Sequence, residues 1–566
     1  MIVKAGLIWL ATSVAVAQDA SEEAPPEPAP AQEADETKER PAEEEAPPAD
    51  EPAPAEAAEA AESAEPAEPA ETHEAPPEDA EPIERPDDPA PIERPDPEPA
   101  EPAPEPEVDA WGGDEWGSVD GFSSGAEDAE EATGKSSPFT LSGFLQTQDA
   151  LWVERLSTEP VGLARQSGEL SLRYSQGDLR AVGTLHAEID PYYLLGDFEP
   201  SVQRAYGWQV RPGELWLGGS AGPVDIFAGR QVVALGEGVL LTPLDVVAPR
   251  DLRDPGMTEV ADLRLPVTML RVGVFVDKFR LEAIGIPEAD FGFRSPPEGP
   301  FGLLPGLAAR AETPETLDVN ELLDQIETAY VHTPSRFSLA GMQAMGRLMY
   351  RGRGFDLGLY GGSVLDKQGA LANPEGLDIE FETTDYEITL EHLRYTLLGH
   401  SGAVVAGDLV ARWEFVASLG KAHNIGEVLS VAGTSFNFNP IVDERTMYTG
   451  MLGFGYTGIK HTRIDLEASK SFLDTVNLTF PTEAMQYALR VSHLSYKERL
   501  EIAGLFMGVG ATLEYGWAAN LIADYELADG LHAGLGYVTY FPGDELGPLL
   551  GYDTHDRLFT TVRWDF

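Results

Sequence analysis

From Ser137 onward, apolar and polar side chains take turns along the chain. In GELSLRYSQ, Leu170, Leu172 and Tyr174 fall on one face, and Glu169, Ser171 and Arg173 on the other. In LRAVGTLHAEID, Arg180, Thr184, His186 and Glu188 share a face. DLVARWEF sets Leu409, Ala411, Trp413 and Phe415 against Asp408, Arg412 and Glu414. TRIDLEAS sets Ile464, Leu466 and Ala468 against Arg463, Asp465 and Glu467, and QYALRVSH opposes Tyr487, Leu489 and Val491 to Arg490 and Ser492. A side-chain period of two is the mark of a strand, because successive Cβ atoms leave opposite faces of the pleat. Residues 138–566 hold about eighteen such segments, with sixteen as the other count.

The links between these segments sort by length. Short ones are SQGD (175–178), GSAGP (219–223), VDKF (276–279), RGRG (351–354), GHSG (399–402), YTGIK (456–460), SYKE (495–498) and LADG (527–530). Between them run long links at 235–264, 288–334, 365–383 and 417–444. One of these contains TLDVNELLDQIETAY (316–330), which reads as a helix. A soluble sandwich also alternates, but its strands are shorter and its turns do not sort. Short turns at one end and long loops at the other describe a closed antiparallel transmembrane β-barrel of the all-β class. Closure is required in hydrocarbon, where an open sheet edge would leave N–H and C=O groups without partners. The chain ends on LFTTVRWDF, with Val562, Trp564 and Phe566 on one face. This looks like the C-terminal signal that outer-membrane barrels present to the barrel-assembly machinery of Gram-negative bacteria.

Composition divides the chain before that point. Residues 1–17 read as a secretory signal peptide: Lys4, an apolar run, then Ala15-Val16-Ala17 as the cleavage site. Residues 18–137 are mostly Glu, Pro, Ala and Asp, with about 40 acids against about 5 bases. Such a stretch buries too little apolar surface to offset its ordering entropy, and reads as a disordered acidic arm hanging in the periplasm. Trp111, Trp116 and Phe122 interrupt it, either as a docking motif or as a linker end at the membrane interface. The formal net charge of −59 argues against nucleic acid and suits a cationic periplasmic partner for the arm. The chain has no Cys, which removes disulfides and thiolate chemistry. No cofactor or metal is expected.

The segment GRQVVALGEGVLLTPLDVVAPRDLRD (229–254) starts as a strand and breaks into Gly, Pro and paired Arg/Asp. On the barrel topology, residues 223–234 are the fifth strand and 235–264 the long external loop after it. The loop either lies on the surface or folds into the lumen, where its backbone needs polar partners. Gln231, Glu237, Asp245, Arg250, Asp251, Arg253 and Asp254 are therefore the candidate constriction residues. A constriction that sorts solutes and a loop merely pinned to the wall use the same residues. Arg230 shares the parity of Val224, Ile226 and Ala228, which puts it on the lipid face, near the interface or at a bulge. Arg173, Arg180, Glu188, Asp408, Arg412, Glu414, Arg463, Asp465, Glu467, Arg490, Asp524 and Arg563 are the candidate lumen lining.

The run GRQVV, GEG, TPLDVVAPRDLRD, LRLPVTMLRV resembles an uncharacterised porin-like outer-membrane β-barrel family of Gram-negative bacteria. It is more distantly similar to alginate-export-type barrels. Gly229, Arg230, Gln231, Pro243, Asp245, Pro249, Arg250, Asp251, Leu252, Arg253, Leu265, Pro266 and Val267 carry the likeness. Leu235 stands where the pattern has Trp, and Thr242 and Ala248 where it has Asn. The resemblance implies an outer-membrane channel. The expected function is a porin or substrate-specific channel for passive diffusion of small hydrophilic solutes, surrounded by outer-membrane lipid and lipopolysaccharide. The alternative is a structural or adhesive barrel whose acidic arm tethers envelope components. An enzyme is not expected: the ten His residues are scattered, and GHSG is placed as a turn rather than a nucleophile elbow.

Overall fold

The computed structural model describes residues 137–566, apart from 259, 298, 303–326, 373–376, 380–384, 427–428, 433–434, 439–440, 474–477, 480, 544–546 and 550. Eighteen strands form one sheet. In chain order they are β1 (Phe139–Trp152), β2 (Val161–Gln176), β3 (Leu179–Ile189), β4 (Trp208–Ala221), β5 (Val224–Gln231) and β6 (Val267–Val276). Next come β7 (Phe279–Ile286), β8 (Gln343–Arg351), β9 (Phe355–Leu365), β10 (Arg394–Ala406), β11 (Leu409–Ile425) and β12 (Ile441–Tyr456). The last six are β13 (Thr462–Leu473), β14 (Gln486–Ser495), β15 (Leu500–Val509), β16 (Trp517–Ala528), β17 (Leu531–Phe541) and β18 (Arg557–Asp565).

Each strand pairs antiparallel with its neighbours in sequence, and β1 pairs with β18 from Phe144↔Asp565 to Trp152↔Arg557. That seam closes the sheet. Beyond it, Gly143 and the terminal Phe566 exchange both backbone hydrogen bonds at 2.9 Å. The short turns all lie at the end that holds the start of β1 and the end of β18. Gly177 and Gly222 sit in two of them with φ near +60°, a conformation that costs glycine nothing and lets the chain reverse in two residues.

Burial is inverted relative to a water-soluble protein. The outward Leu215, Leu359, Leu452, Leu466, Leu521 and Leu535 leave 49–59% of their surface exposed, while the inward Glu414 and Glu467 are at 0%. An apolar exterior and a polar interior are what hydrocarbon outside and water inside would select. Val562, Trp564 and Phe566 lie on the outward face.

Several expectations are corrected. GHSG (399–402) is not a turn; it lies inside β10, and the turn is Gly407-Asp408. Asp408 therefore stands in that turn rather than in the lumen wall, and its carbonyl accepts the Thr457 N–H. The long link at 417–444 shrinks to 426–440, because β11 runs on to Ile425 and β12 starts as early as Ile441. The helix expected at 316–330 ends in a strand, Glu327–Thr333. Its earlier residues lie outside the described ones, as do the signal peptide, the acidic arm and Trp111, Trp116 and Phe122. Strand β5 stops at Gln231, and the residues up to Leu265 turn inward.

Candidate functional site

The loop between β5 and β6 crosses the interior. Its tip, GEGVLLTPL, reaches two carboxylates on the far wall. Glu414 of β11 accepts the N–H groups of Glu237 (2.7 Å), Gly238 (2.7 Å) and Leu244 (3.0 Å). Glu467 of β13 accepts those of Val239 (2.8 Å), Leu240 (2.9 Å) and Leu241 (2.6 Å). Six backbone donors that the loop cannot pair internally are satisfied by two buried anions, at about 1.5–3 kcal/mol per charge-assisted bond. Both glutamates lie five residues from the short-turn end of their strands, Leu409 and Thr462, so the tip sits deep in the barrel.

The returning leg is fixed to the opposite wall. Arg253 donates to Glu188 of β3 (2.6 Å), to Asp251 (2.6 Å) and to the Ala205 carbonyl (2.8 Å). Asp254 accepts from Arg165 of β2 (2.6 Å) and Arg557 of β18 (2.9 Å). Asn520 of β16 donates to the Gly256 carbonyl (2.7 Å). Since β2 and β11 are nine strands apart in a ring of eighteen, the loop spans the lumen. Asp245, its carboxylate fully buried, holds the two legs together by accepting from Arg250 (3.1 Å) and Arg264 (2.7 Å).

Apolar contacts seat the loop between these anchors. Val233, Leu235, Leu244 and Val247 pack on Met269, Ile284, Met345, Leu397 and Val416 of the inner wall. Leu240 and Leu241 pack on Met451 and Ala488, and Met257 on Val538, Tyr540 and Phe559. An inner wall that is apolar where the loop leans on it, and charged where the six loop N–H groups arrive, accommodates both kinds of surface.

Of the candidate constriction residues, Glu237, Asp245, Arg250, Asp251, Arg253 and Asp254 are all in the crossing segment. Gln231 is the last residue of β5, buried, with its side-chain amide donating to the Met269 and Gly229 carbonyls. Among the lumen candidates, Glu188, Glu414 and Glu467 touch the loop, and Arg412 and Arg463 both pair with Asp465 (3.2 and 2.6 Å). Arg490, Asp524 and Arg563 pair elsewhere, with Glu501, His532 and Asp565. Arg173 and Arg180 lie exposed beside the Gly177 turn. Sequence reading missed Arg165 and Arg557, and also a buried cluster in which Arg271, Arg280 and Arg347 surround Glu282 (2.9, 3.0 and 2.5 Å). The alternation of FRLEAIGI, which puts Arg280 and Glu282 inward, was the available signal. Arg230 is on the outward parity as expected, but β5 and β6 keep register there; it is satisfied by Glu288 (2.7 Å) and Asp290 (3.0 Å) from the next loop.

Two loop carboxyls are shifted. Burial, then the neighbouring Asp356 and Glu414 carboxylates, pushes the Glu237 carboxyl up to about 7. Burial alone would also raise Asp254, but the Arg165 and Arg557 guanidiniums outweigh it and hold that carboxyl below the usual range.

A family model described as "Protein of unknown function (DUF1302)" matches residues 167–288, a span that contains the crossing loop. No curated protein matches. Among solved structures, the chain is similar to Acinetobacter baumannii OccAB4 (10% identity, TM-score 0.40, 76% of this chain and 99% of that one). It is also similar to Pseudomonas aeruginosa OccK8 (OprE) (12%, 0.38, 76% and 98%) and to Salmonella typhi OmpF in complex with daunomycin (10%, 0.34, 76% and 97%). Likeness at this level says nothing of what the chain passes or binds.

Proposed function

We propose that this chain is an outer-membrane channel of a Gram-negative bacterium, passing small hydrophilic solutes by passive diffusion, with the loop 232–266 as its constriction. The observation that carries this reading is the loop itself: it is fastened to opposite walls, deep inside a closed barrel, by buried ion pairs and carboxylate–amide bonds. A barrel of this strand number encloses more space than side chains alone fill, and a crossing loop narrows that space without plugging it by a separate domain. The charged groups left beside the loop are of both signs, which suits polar solutes of either charge over a strongly ion-selective pore. On this reading the short-turn end faces the periplasm and the long loops face outward.

The test is planar-bilayer recording on the purified full chain. Steady single-channel steps are expected, growing in size when residues 235–264 are replaced by a short Gly/Ser link. A correctly closed barrel that carries no current with the loop removed would overturn the channel reading and leave the structural one.

A further inference from the structure

The outer surface carries a feature that solute passage does not use. Between Thr333 and β8, the segment SRFSLAGM (335–342) forms a small knob at the long-loop end. Ser338 Oγ accepts the Gly341 N–H (3.1 Å) and donates to the Ser335 carbonyl (2.9 Å), closing a 3-10 turn over Leu339–Gly341. The turn consumes these polar groups and pushes its apolar side chains outward: Phe337 is 68% and Leu339 88% exposed. In a chain surrounded by water, two such side chains on a built turn would be a liability.

Basic groups flank the knob on the same face. Arg394 opens β10; in register it opposes Leu365, and it shares its face with the exposed Leu398 four residues on, so it points out of the barrel. Its guanidinium lies along the outer wall, donating to Ser363 Oγ (3.2 Å) and to the Ala340 (2.7 Å) and Met342 (2.6 Å) carbonyls. None of these partners is an anion. Arg336, more than half exposed, pairs with Glu288 and Asp290, the carboxylates that also hold the outward Arg230. Lys367 adds a fourth cation by donating to the Asp290 carbonyl (2.9 Å). Lys367 also faces Asp366, so among the described residues four cations meet three carboxylates, on a chain whose net charge is −59. A local cationic excess beside projecting apolar side chains is complementary to one ligand chemistry: an amphiphile with anionic phosphate above acyl chains.

We propose that this rim, formed by Arg336, Arg394, Phe337 and Leu339, binds the phosphorylated glycolipid of the outer leaflet. Arg394 and Arg336 take the phosphate, and Phe337 and Leu339 enter between acyl chains. The proposal rests on the barrel lying in a bilayer with its long loops outermost, and is independent of conduction.

The experiment is native mass spectrometry of the detergent-purified full chain titrated with diphosphoryl lipid A, with its fully dephosphorylated form, or with inorganic phosphate. The diphosphoryl lipid is expected to bind at least tenfold tighter than the dephosphorylated one. R394Q and R336Q should each weaken it several-fold, F337S/L339S should weaken both lipids, and inorganic phosphate should not compete at equal concentration. R336Q alters an exposed side chain and leaves the Arg230–Glu288 pair in place, so it reports even where R394Q fails to close, as checked by heat-modifiable migration. Equal binding of the two lipids, or binding unchanged in R336Q and R394Q, would sink the proposal. Displacement by inorganic phosphate would do so too, since it would reveal a simple phosphate site. Unaltered single-channel conductance in R336Q is expected and keeps this outcome separate from the channel reading.

Discussion

At the scale of single residues, the tip of the loop is held by two carboxylates of the far wall. Glu414 and Glu467 each accept three loop N–H groups. Replacing either by Gln keeps the shape but weakens three charge-assisted bonds and places an amide donor among donors. E414Q and E467Q are each expected to cost about 1–3 kcal/mol of loop anchoring, read as larger or noisier single-channel steps with the barrel intact. Glu237 adds a pH response. Its folded carboxyl titrates at about 7, above the ordinary value, so the folded chain binds the extra proton between the two. The stabilisation is complete below the unfolded value of about 4.3 and is lost as pH rises through 7. Beside it stand Asp356 and Glu414, with Arg351 and Arg412 opposing them. Loop noise should therefore be greater at pH 8 than at pH 6, and E237Q should flatten the difference.

At the scale of elements, the returning leg of the loop is the part most sensitive to loss of one partner. Arg253 is 1% exposed and Glu188 7%, and they pair at 2.6 Å. Arg253→Ala leaves Glu188 and Asp251 without that guanidinium, at an expected cost of about 3–5 kcal/mol, measurable as a lower melting temperature of the detergent-solubilised barrel. The Asp254 anchor behaves oppositely to Glu237. Its carboxyl is held low, so its contribution is complete above the ordinary Asp value of about 3.9 and is lost only as pH falls through the depressed one. A melting curve that begins to weaken near pH 6 in the wild type but not in Asp254→Asn would contradict this assignment.

At the scale of the molecule, the seam between β1 and β18 leaves the sheet with no free edge, and β1 begins at the short-turn end. If passage is a property of the barrel and its loop alone, deleting residues 18–137 behind the signal peptide leaves conductance unchanged. A channel that loses current with that deletion would assign the acidic segment a part in the pore rather than in attachment.

Alternation brought the strand number to eighteen or sixteen, and was enough for face and for which end carries the long loops, because a side-chain period of two registers directly against an apolar exterior and a wet interior. It failed where local composition misleads about a strand's end: GHSG looks like a turn, yet Gly399 and Gly402 pair in register with Val416 and Trp413 inside β10. The residues of the crossing loop were legible too, since Pro, Asp and Arg at that density need partners. What they pair with was not. That Glu414 and Glu467 receive the tip, that Arg165 and Arg557 grip Asp254, and that Arg394 lies along the outer wall beside Ala340 depend on contacts between segments far apart in sequence. Side-chain periodicity is a property of neighbours along the chain, whereas the path of a loop through a lumen is decided by which distant walls offer it anions, guanidiniums and apolar ground when the cylinder closes.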